Sequence, residues 1–323
     1  MGGGRRSTRR GHSDLLAGSL CNSYMTNFRT DFVRKLVGSP SIDYRIATRA
    51  EMSRRMAPTT KRRLPAPACG MGYSLGAPPG ESPTDRQLIE EAKGLELHVS
   101  DGPAEAARDA ARGLAQSIRD AVRARGLCTL AVSGGSTPNA MFAVLAQEEV
   151  PWESVHVFQV DERVAPAGDR ERNWVHLHTI LLSKVAMAPT HMHPMPVELA
   201  DLHLAAKNYA ALLTGAAGNP PVIDVVHLGL GRDGHTASLT PDDPVLGELK
   251  SEVAVTQEYQ GHRRLTLTYP CLRRARQIVW LVTGSDKAEM LQRLQRADQS
   301  IPAGRLFHER SVAYVDRAAA AAR

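Results

Sequence analysis

The sequence predicts an α/β fold: a doubly wound, mainly parallel sheet with helices on both faces, built as a single domain behind a basic N-terminal extension. Three observations carry the prediction. From about residue 94, short apolar runs alternate with longer segments whose apolar residues recur at helical spacing, the pattern of βα units whose strands are buried on both faces. Two of the apolar runs exit into glycine-rich turns, SGGSTP at 133–138 and GLGRDG at 229–234. Charge also divides the chain: residues 1–80 hold 14 basic residues against four acidic ones, a net of +10, whereas the remaining 243 hold 26 against 30, a net of −4.

The elements follow in order. Leu95–Val99 alternates as a short strand, and Pro103–Arg125 is an Ala-rich helix opened by the turn residues Asp101, Gly102 and Pro103. Leu127–Val132 is too short for a helix and is stopped by Gly134 and Gly135, so it reads as a buried strand. A helix from Pro138 to Ala146, a strand Val155–Val160 and helices Asn173–Leu182 and Glu198–Leu213 come next. Strands Ile223–Leu228, Arg264–Thr268 and Ile278–Thr283, a helix Asp286–Arg296 and a strand Val312–Val315 complete a Rossmann-like alternation, which bounds the folded domain at 94–318. With 42% hydrophobic and 23% charged residues in 323, the chain can bury a core, which excludes collagenous and wholly disordered classes.

Residues 1–85 show little apolar periodicity and end in a Pro/Gly-rich stretch from Leu64 to Pro83, so they are expected to form a disordered basic extension. Three roles fit it: a dispensable extension, an Arg-rich transit peptide, or a nucleic-acid arm, the last without a helix-turn-helix pattern or interleaved aromatics. The positive sign of the chain's net charge therefore comes from this segment and predicts no nucleic-acid partner for the domain. Cys21, Cys69, Cys128 and Cys271 form no CxxC pair, which argues against a disulfide framework or a structural zinc site. No run approaches the ~18 apolar residues of a membrane helix, and no compact apolar leader is present, so a cytoplasmic place and no membrane association are expected.

In doubly wound sheets ligands bind beyond the carboxyl ends of the strands, so the loops there hold the candidate chemistry. Ser133, Gly134, Gly135, Ser136 and Thr137 follow a buried strand and open a helix, with Thr137 expected as N-cap and Pro138 at the first helical position. Such a turn is either an ordinary strand-to-helix connection or an anion site; without a Gly-Lys-[Ser/Thr] ending it suits a single sugar phosphate better than a triphosphate. Asp161, Glu162 and Arg163 follow the next strand as a loop able to orient hydroxyls or clamp an anion, or as a surface ion pair. The run Gly229–Leu239 contains G-x-G-x-x-G, but Pro241 and Pro244 leave no room for the long helix a dinucleotide site requires. Its glycines instead bring backbone close to a small ligand and place Asp233 and His235, a carboxylate and imidazole two residues apart, for general acid–base work. Arg264 entering a strand and Lys287 at a strand-to-helix junction are candidate phosphate ligands or solvated charges, with Arg305 a weaker one of the same kind. No G-x-S-x-G elbow occurs, and the pairs His176/His178 and His191/His193 have i,i+2 spacing that suits no metal on a helix.

Taken in this order, SGGSTP (133–138), DER (161–163), Asn173, GLGRDGHTASL (229–239), RLTLT (264–268), TGSDK (283–287) and IPAG (301–304) resemble the 6-phosphogluconolactonases within the glucosamine-6-phosphate isomerase/deaminase superfamily, over about residues 94–316. The resemblance implies hydrolysis of 6-phospho-D-glucono-1,5-lactone to 6-phosphogluconate in the oxidative pentose phosphate pathway, without metal or cofactor; a monomer or small homo-oligomer is expected, with the lactone as its small-molecule partner. It implies His235 as general base, Asp233 and Asp161 as orienting carboxylates, and the 133–137 loop, Arg163, Asn173, Arg264 and Lys287 around the phosphate and sugar. Two positions depart from the family pattern: Thr240 stands where an aromatic is usual and Arg172 where a serine is usual. An amino-sugar-phosphate deaminase on the same fold, and a sugar-phosphate-sensing DNA-binding regulator using the basic extension as its arm, are the competing readings.

Overall fold

The computed structural model describes residues 95–306 and 310–321; the expected disordered extension of residues 1–85 lies outside them. In chain order the elements are β1 (Glu96–Ser100), α1 (Pro103–Arg125), β2 (Cys128–Val132), α2 (Ser136–Leu145), β3 (Val155–Gln159), β4 (Asp161–Arg163), α3 (Asn173–Ile180), β5 (Met192–His193), α4 (Leu202–Ala217), β6 (Val225–Leu228), β7 (Val253–Val255), β8 (Arg264–Leu267), α5 (Tyr269–Arg273), β9 (Gln277–Val282), α6 (Ala288–Gln295), β10 (Ser311–Asp316) and α7 (Arg317–Ala320).

Seven strands form one sheet in the order β1-β10-β9-β6-β2-β3-β5, with every neighbouring pair parallel. Period-two alternation explains why it is covered twice. Leu130 and Val132 of β2 enter one core and Ala131 the other; Val155 and Val157 of β3 part from Phe158, and Val225 of β6 from Val226 and Leu228. Helix α1 seals one face with Ala106, Ala107, Ala110, Ala111 and Ala115 around Leu114 and Ile118, all buried. Its small residues let the helix lie close to the strands, and a Cβ on Gly113 would sit 1.9 Å from the Tyr314 hydroxyl. Helix α4 covers the opposite face through the buried Tyr209 and Leu213.

Sequence and structure differ at the short elements. Asp161–Arg163, expected as a loop, is strand β4, and Arg264–Thr268, expected among the βα strands, supplies β8; with β7 they make a separate antiparallel sheet in the order β4-β8-β7. Val160 ties that sheet to the large one: its N–H donates to Val132 (3.0 Å) and its carbonyl accepts from Leu267 N–H (2.8 Å). The alternation of Leu265 and Leu267 suits an antiparallel strand better than a parallel one, although all four residues of β8 are buried, and alternation cannot say which sheet a strand joins. Strands β5 and β7 and helix α5, two, three and five residues long, are too brief for any period to register. Helix α4 starts at Leu202 rather than Glu198, because the Asp201 carboxylate accepts from the N–H groups of His203 (2.9 Å) and Leu204 (3.0 Å).

Successive strands run outward from β2 toward β3 on one side and from β6 toward β9 and β10 on the other. The order in which strands are added therefore reverses between β2 and β6, which remain parallel, and the two glycine-rich loops flank that switch point at the strands' carboxyl ends. Among the described residues no helix is long and apolar enough to cross a membrane.

Candidate active site

A cleft of about 240 Å³ lies at this end of the sheet, walled by the Ser133–Pro138 turn, Asp161, Arg163, Asn173, the Gly229–Gly231 turn, His235, Arg264 and Lys287. The fold thus gathers eleven of the twelve expected site residues onto its wall. The twelfth, Asp233, stands behind His235.

The 133–137 turn differs from expectation in one detail. Helix α2 begins at Ser136 with Gly135 as N-cap, so Thr137 lies inside the first turn rather than capping it. Gly135 has φ +119°, a conformation side chains rarely adopt, and no side chain caps the helix. Its first amides are left to face the cleft together with the positive end of the helix dipole. Gly134 is fixed by contact instead: a Cβ there would fall 2.2 Å from Asn173 Cγ.

Asp161 and Glu162 are neighbours with opposite duties. Glu162 is fully buried and accepts from the backbone N–H groups of Asn173 and Trp174 at 2.8 Å each, capping α3 from outside its own segment. Arg172, 3% exposed, pairs with Glu162 at 3.2 Å and Glu198 at 2.8 Å. The arginine that departs from the family pattern therefore points into the protein and leaves the cleft untouched. Thr240 is likewise buried and off the cleft wall. Asp161 does face the cleft. Its Oδ2 accepts from Ser238 Oγ at 2.6 Å, and Asn173 Nδ2 donates to its carbonyl at 3.1 Å. Burial pushes its carboxyl pKa up, against the pull of Ser238 and Arg264.

The 229–239 run does not continue into a long helix; only a single 3₁₀ turn, Pro244–Gly247, follows. The loop closes on itself through Gly231 N–H to the His235 carbonyl (2.8 Å) and Thr236 Oγ to the Gly229 carbonyl (2.8 Å). Gly234, at φ +81°, packs against Ile301, and its carbonyl accepts from Ala303 N–H at 2.9 Å, which gives the IPAG segment its place behind the loop. Within this frame Asp233 Oδ1 lies 2.5 Å from His235 Nδ1 and also accepts the His235 backbone N–H at 3.1 Å. A carboxylate at Nδ1 holds the proton there, leaving Nε2 as the basic nitrogen. Burial would raise the Asp233 carboxyl, but the hydrogen bonds and charge of His235 outweigh it and hold the pKa well below the usual carboxylate range.

The positive groups differ in commitment. Arg163 Nη1 donates to the Glu171 carbonyl at 2.8 Å, which anchors it at the rim. Lys287, held 3.9 Å from Asp286, has its pKa lowered chiefly by burial. Arg264 is 5% exposed, its Nε has no hydrogen-bond partner, and it makes no ion pair among the described residues; its guanidinium rests 5.0 Å from the Tyr259 ring centre. Burial lowers its pKa too. Ser133 Oγ, 6% exposed on the same wall, is also unpartnered. Buried donors without partners are costly, and two on one cleft wall describe a place for an acceptor-rich anion. Arg305 is not part of it, since its Nε donates to the Gln299 carbonyl at 2.8 Å away from the cleft. Sequence reasoning missed Tyr259 and Gln260; the Gln260-Gly261 dipeptide between two strand-like segments was the available turn signal. Among the described residues no group of three His, Cys, Asp or Glu side chains is arranged to hold a metal ion.

A family model described as glucosamine-6-phosphate isomerases/6-phosphogluconolactonase matches residues 101–315. A 6-phosphogluconolactonase from Synechocystis is 38% identical over 178 residues, covering 54% of this chain and 74% of the relative. One from Mycobacterium tuberculosis is 35% identical over 226 residues, covering 66% and 92%. The structure of a 6-phosphogluconolactonase from Trypanosoma brucei superposes with a TM-score of 0.63 at 25% identity, covering 70% of this chain and 97% of that one. A monomeric glucosamine-6-phosphate deaminase shares the fold at 19% identity with a TM-score of 0.63, covering 71% and 100%.

Proposed function

The chain belongs to the family of glucosamine-6-phosphate isomerases and 6-phosphogluconolactonases, and from that premise we propose that it hydrolyses 6-phospho-D-glucono-1,5-lactone to 6-phosphogluconate, the lactone-opening step of the oxidative pentose phosphate pathway. One observation carries the choice of site: the Asp233–His235 pair shares a cleft with a buried arginine and a serine whose donors have no protein partner. An acid–base group beside buried donors that no protein group satisfies suits an ester whose far end carries a phosphate.

In the proposed reaction His235 Nε2 takes a proton from a water as its oxygen attacks the lactone carbonyl. The tetrahedral intermediate collapses by breaking the bond to the ring oxygen, which receives the proton from the imidazolium. One water is consumed, the ring opens, and the carboxylic acid formed ionises at neutral pH. Asp233 keeps the imidazole in the tautomer this requires and stabilises the transient imidazolium. Asp161, fixed by Ser238 and Asn173, orients the sugar hydroxyls. The first turn of α2, Ser133, Arg264 and Lys287 hold the phosphate, with Arg163 at the rim. General acid–base assistance of this kind is worth about 10²–10⁴-fold, and no covalent nucleophile or metal is invoked. The activity is assigned to residues 94–318, acting in the cytoplasm.

The deciding experiment offers the purified chain freshly generated lactone, with 6-phosphogluconate read by a coupled dehydrogenase, and glucosamine 6-phosphate in parallel, with ammonia release read. Product from the lactone alone is expected. Ammonia release with no acceleration of lactone opening would overturn the proposal.

A further inference from the structure

The tip of the β7–β8 hairpin reaches the cleft. Tyr259 and His262 bridge across it, with Tyr259 N–H donating to the His262 carbonyl at 3.0 Å and His262 N–H to the Tyr259 carbonyl at 3.3 Å. The two residues between them, Gln260 at φ +51° and Gly261 at φ +79°, are both left-handed, which is the two-residue turn that matches the twist of paired strands. Below the tip the ladder continues through Thr256, whose N–H donates to the Arg264 carbonyl at 2.9 Å and whose Oγ accepts Arg264 N–H at 3.1 Å. Tyr259 is thus held by backbone on both sides, not presented on a loose loop.

From this position its hydroxyl donates to Asp233 Oδ2 at 3.2 Å, while Oδ1 of the same carboxylate holds His235. The Tyr259 ring stands edge-on to the imidazole, with centroids 5.7 Å apart and planes at 67°, and its face carries the Arg264 guanidinium. One side chain therefore touches the acid–base pair with its hydroxyl and edge, and the buried cation with its face. We infer that Tyr259 is a positioning residue that locks the Asp233 carboxylate for His235 and, through its ring, seats Arg264 toward the anion; the inference rests on the acid–base reading above.

The physical reason lies in the geometry of a carboxylate. Bound at one oxygen only, it can swing about its χ2, a broad two-fold torsion, and carry the imidazole with it. A second donor on Oδ2 removes that freedom, and positional errors of this size at a reacting group are costly in rate. The hydroxyl also draws negative charge from Asp233, so the carboxylate holds the imidazolium less tightly than it would alone. Of the other charged groups, Lys287 at the start of α6 couples with Asp233, with Asp286 and with Arg232, the neighbour of Asp233 in the loop, and Arg264 on β8 and Asp161 and Arg163 on β4 share the cleft wall with His235. All of these remain when only the hydroxyl is removed.

Tyr259→Phe removes the hydroxyl and keeps the ring; Tyr259→Leu removes both. In Tyr259→Phe, kcat is expected to fall about tenfold or more, the scale of one hydrogen bond to an ionised group, with KM and Tm unchanged and the acid limb of kcat/KM moved to higher pH. In Tyr259→Leu, KM should rise several-fold as well, since Arg264 loses its seat. NMR titration of the His235 ring proton, assigned by its loss in His235→Asn, should show the same upward displacement in Tyr259→Phe without any substrate. Unchanged kcat and an unmoved titration in Tyr259→Phe would overturn the inference, as would equal losses of Tm and kcat in both variants with no displacement, which would make the residue merely structural. If the parent chain fails to open the lactone, the functional reading falls, while the NMR titration still decides whether Tyr259 acts on His235.

Discussion

Two sets of histidines in this protein meet opposite surroundings. His235 sits on a glycine-built loop, about a quarter exposed, with a carboxylate 2.5 Å from Nδ1. His227 is two residues before that loop, in β6, fully buried, with both ring nitrogens unpartnered and Phe142 edge-on at 6.2 Å. At the sheet edge His193 stacks on Phe158 at 4.2 Å and meets His156 Nδ1 through its Nε2 at 3.0 Å. Burial is the main cause that holds both His193 and His227 down to a pKa of about 3. The same residue type is open to acid–base work where a carboxylate and solvent reach it, and packs as an apolar ring where neither does.

The sharpest way to break that comparison is to exchange the consequences. His235→Ala should lower kcat by about 10²–10⁴-fold with KM nearly unchanged and the fold intact, as steady-state kinetics and circular dichroism would show. Near-normal turnover would place His235 with the packing histidines. Those histidines predict a stability effect instead. Their pKa is lowered from 6.5 to about 3 on folding, so folded and unfolded chains are equally neutral above 6.5. As pH falls below 6.5 the unfolded chain takes up protons that the folded one refuses, and stability is lost progressively toward pH 3. At pH 5 each residue costs ~2 kcal/mol, readable by urea unfolding at pH 7 and 5; His227→Leu should roughly halve the loss.

A third variant tests whether the loop, and not merely the dyad's identity, makes His235 reactive. A Cβ at Gly231 would lie 2.1 Å from His235 Nδ1 and 2.6 Å from Asp233 Oδ1, so Gly231→Ala should cost about 10² in kcat while the chain still folds. Unaltered turnover would show that the dyad tolerates displacement. Lys287→Ala has the smallest effect, a rise in KM of about tenfold with kcat retained; an unchanged KM would remove Lys287 from the phosphate cradle.

Legibility in the sequence followed the same physical divide. The βα elements could be read because burial on two faces imposes continuous apolar runs, as at Leu127–Val132, and because Ala-rich α1 repeats its buried face over six turns. The cleft's principal groups could be read because chemistry needs particular side chains beside glycines, as at Gly229–Leu239. Glu162 and Asp161 could not be told apart, since adjacent residues on a strand face opposite ways and only the partners decide their duties. One found the N-terminus of α3, the other the cleft. Tyr259 was invisible for a similar reason: nothing near it in sequence marks chemistry, and its contact with Asp233 spans 26 positions.

By itself, the sequence determined the α/β class, the run of strands and helices, and the Asp233–His235 pair, because each of these depends on neighbours within a few residues. Only the tertiary structure decided that Arg264 belongs to a second, antiparallel sheet, that Arg172 is spent on Glu162 and Glu198, and that Tyr259 stands between the Asp233–His235 pair and the buried Arg264. Those outcomes rest on pairings between distant segments, and an extended chain's local pattern holds no energy term that distinguishes one distant partner from another until packing brings them within hydrogen-bond reach.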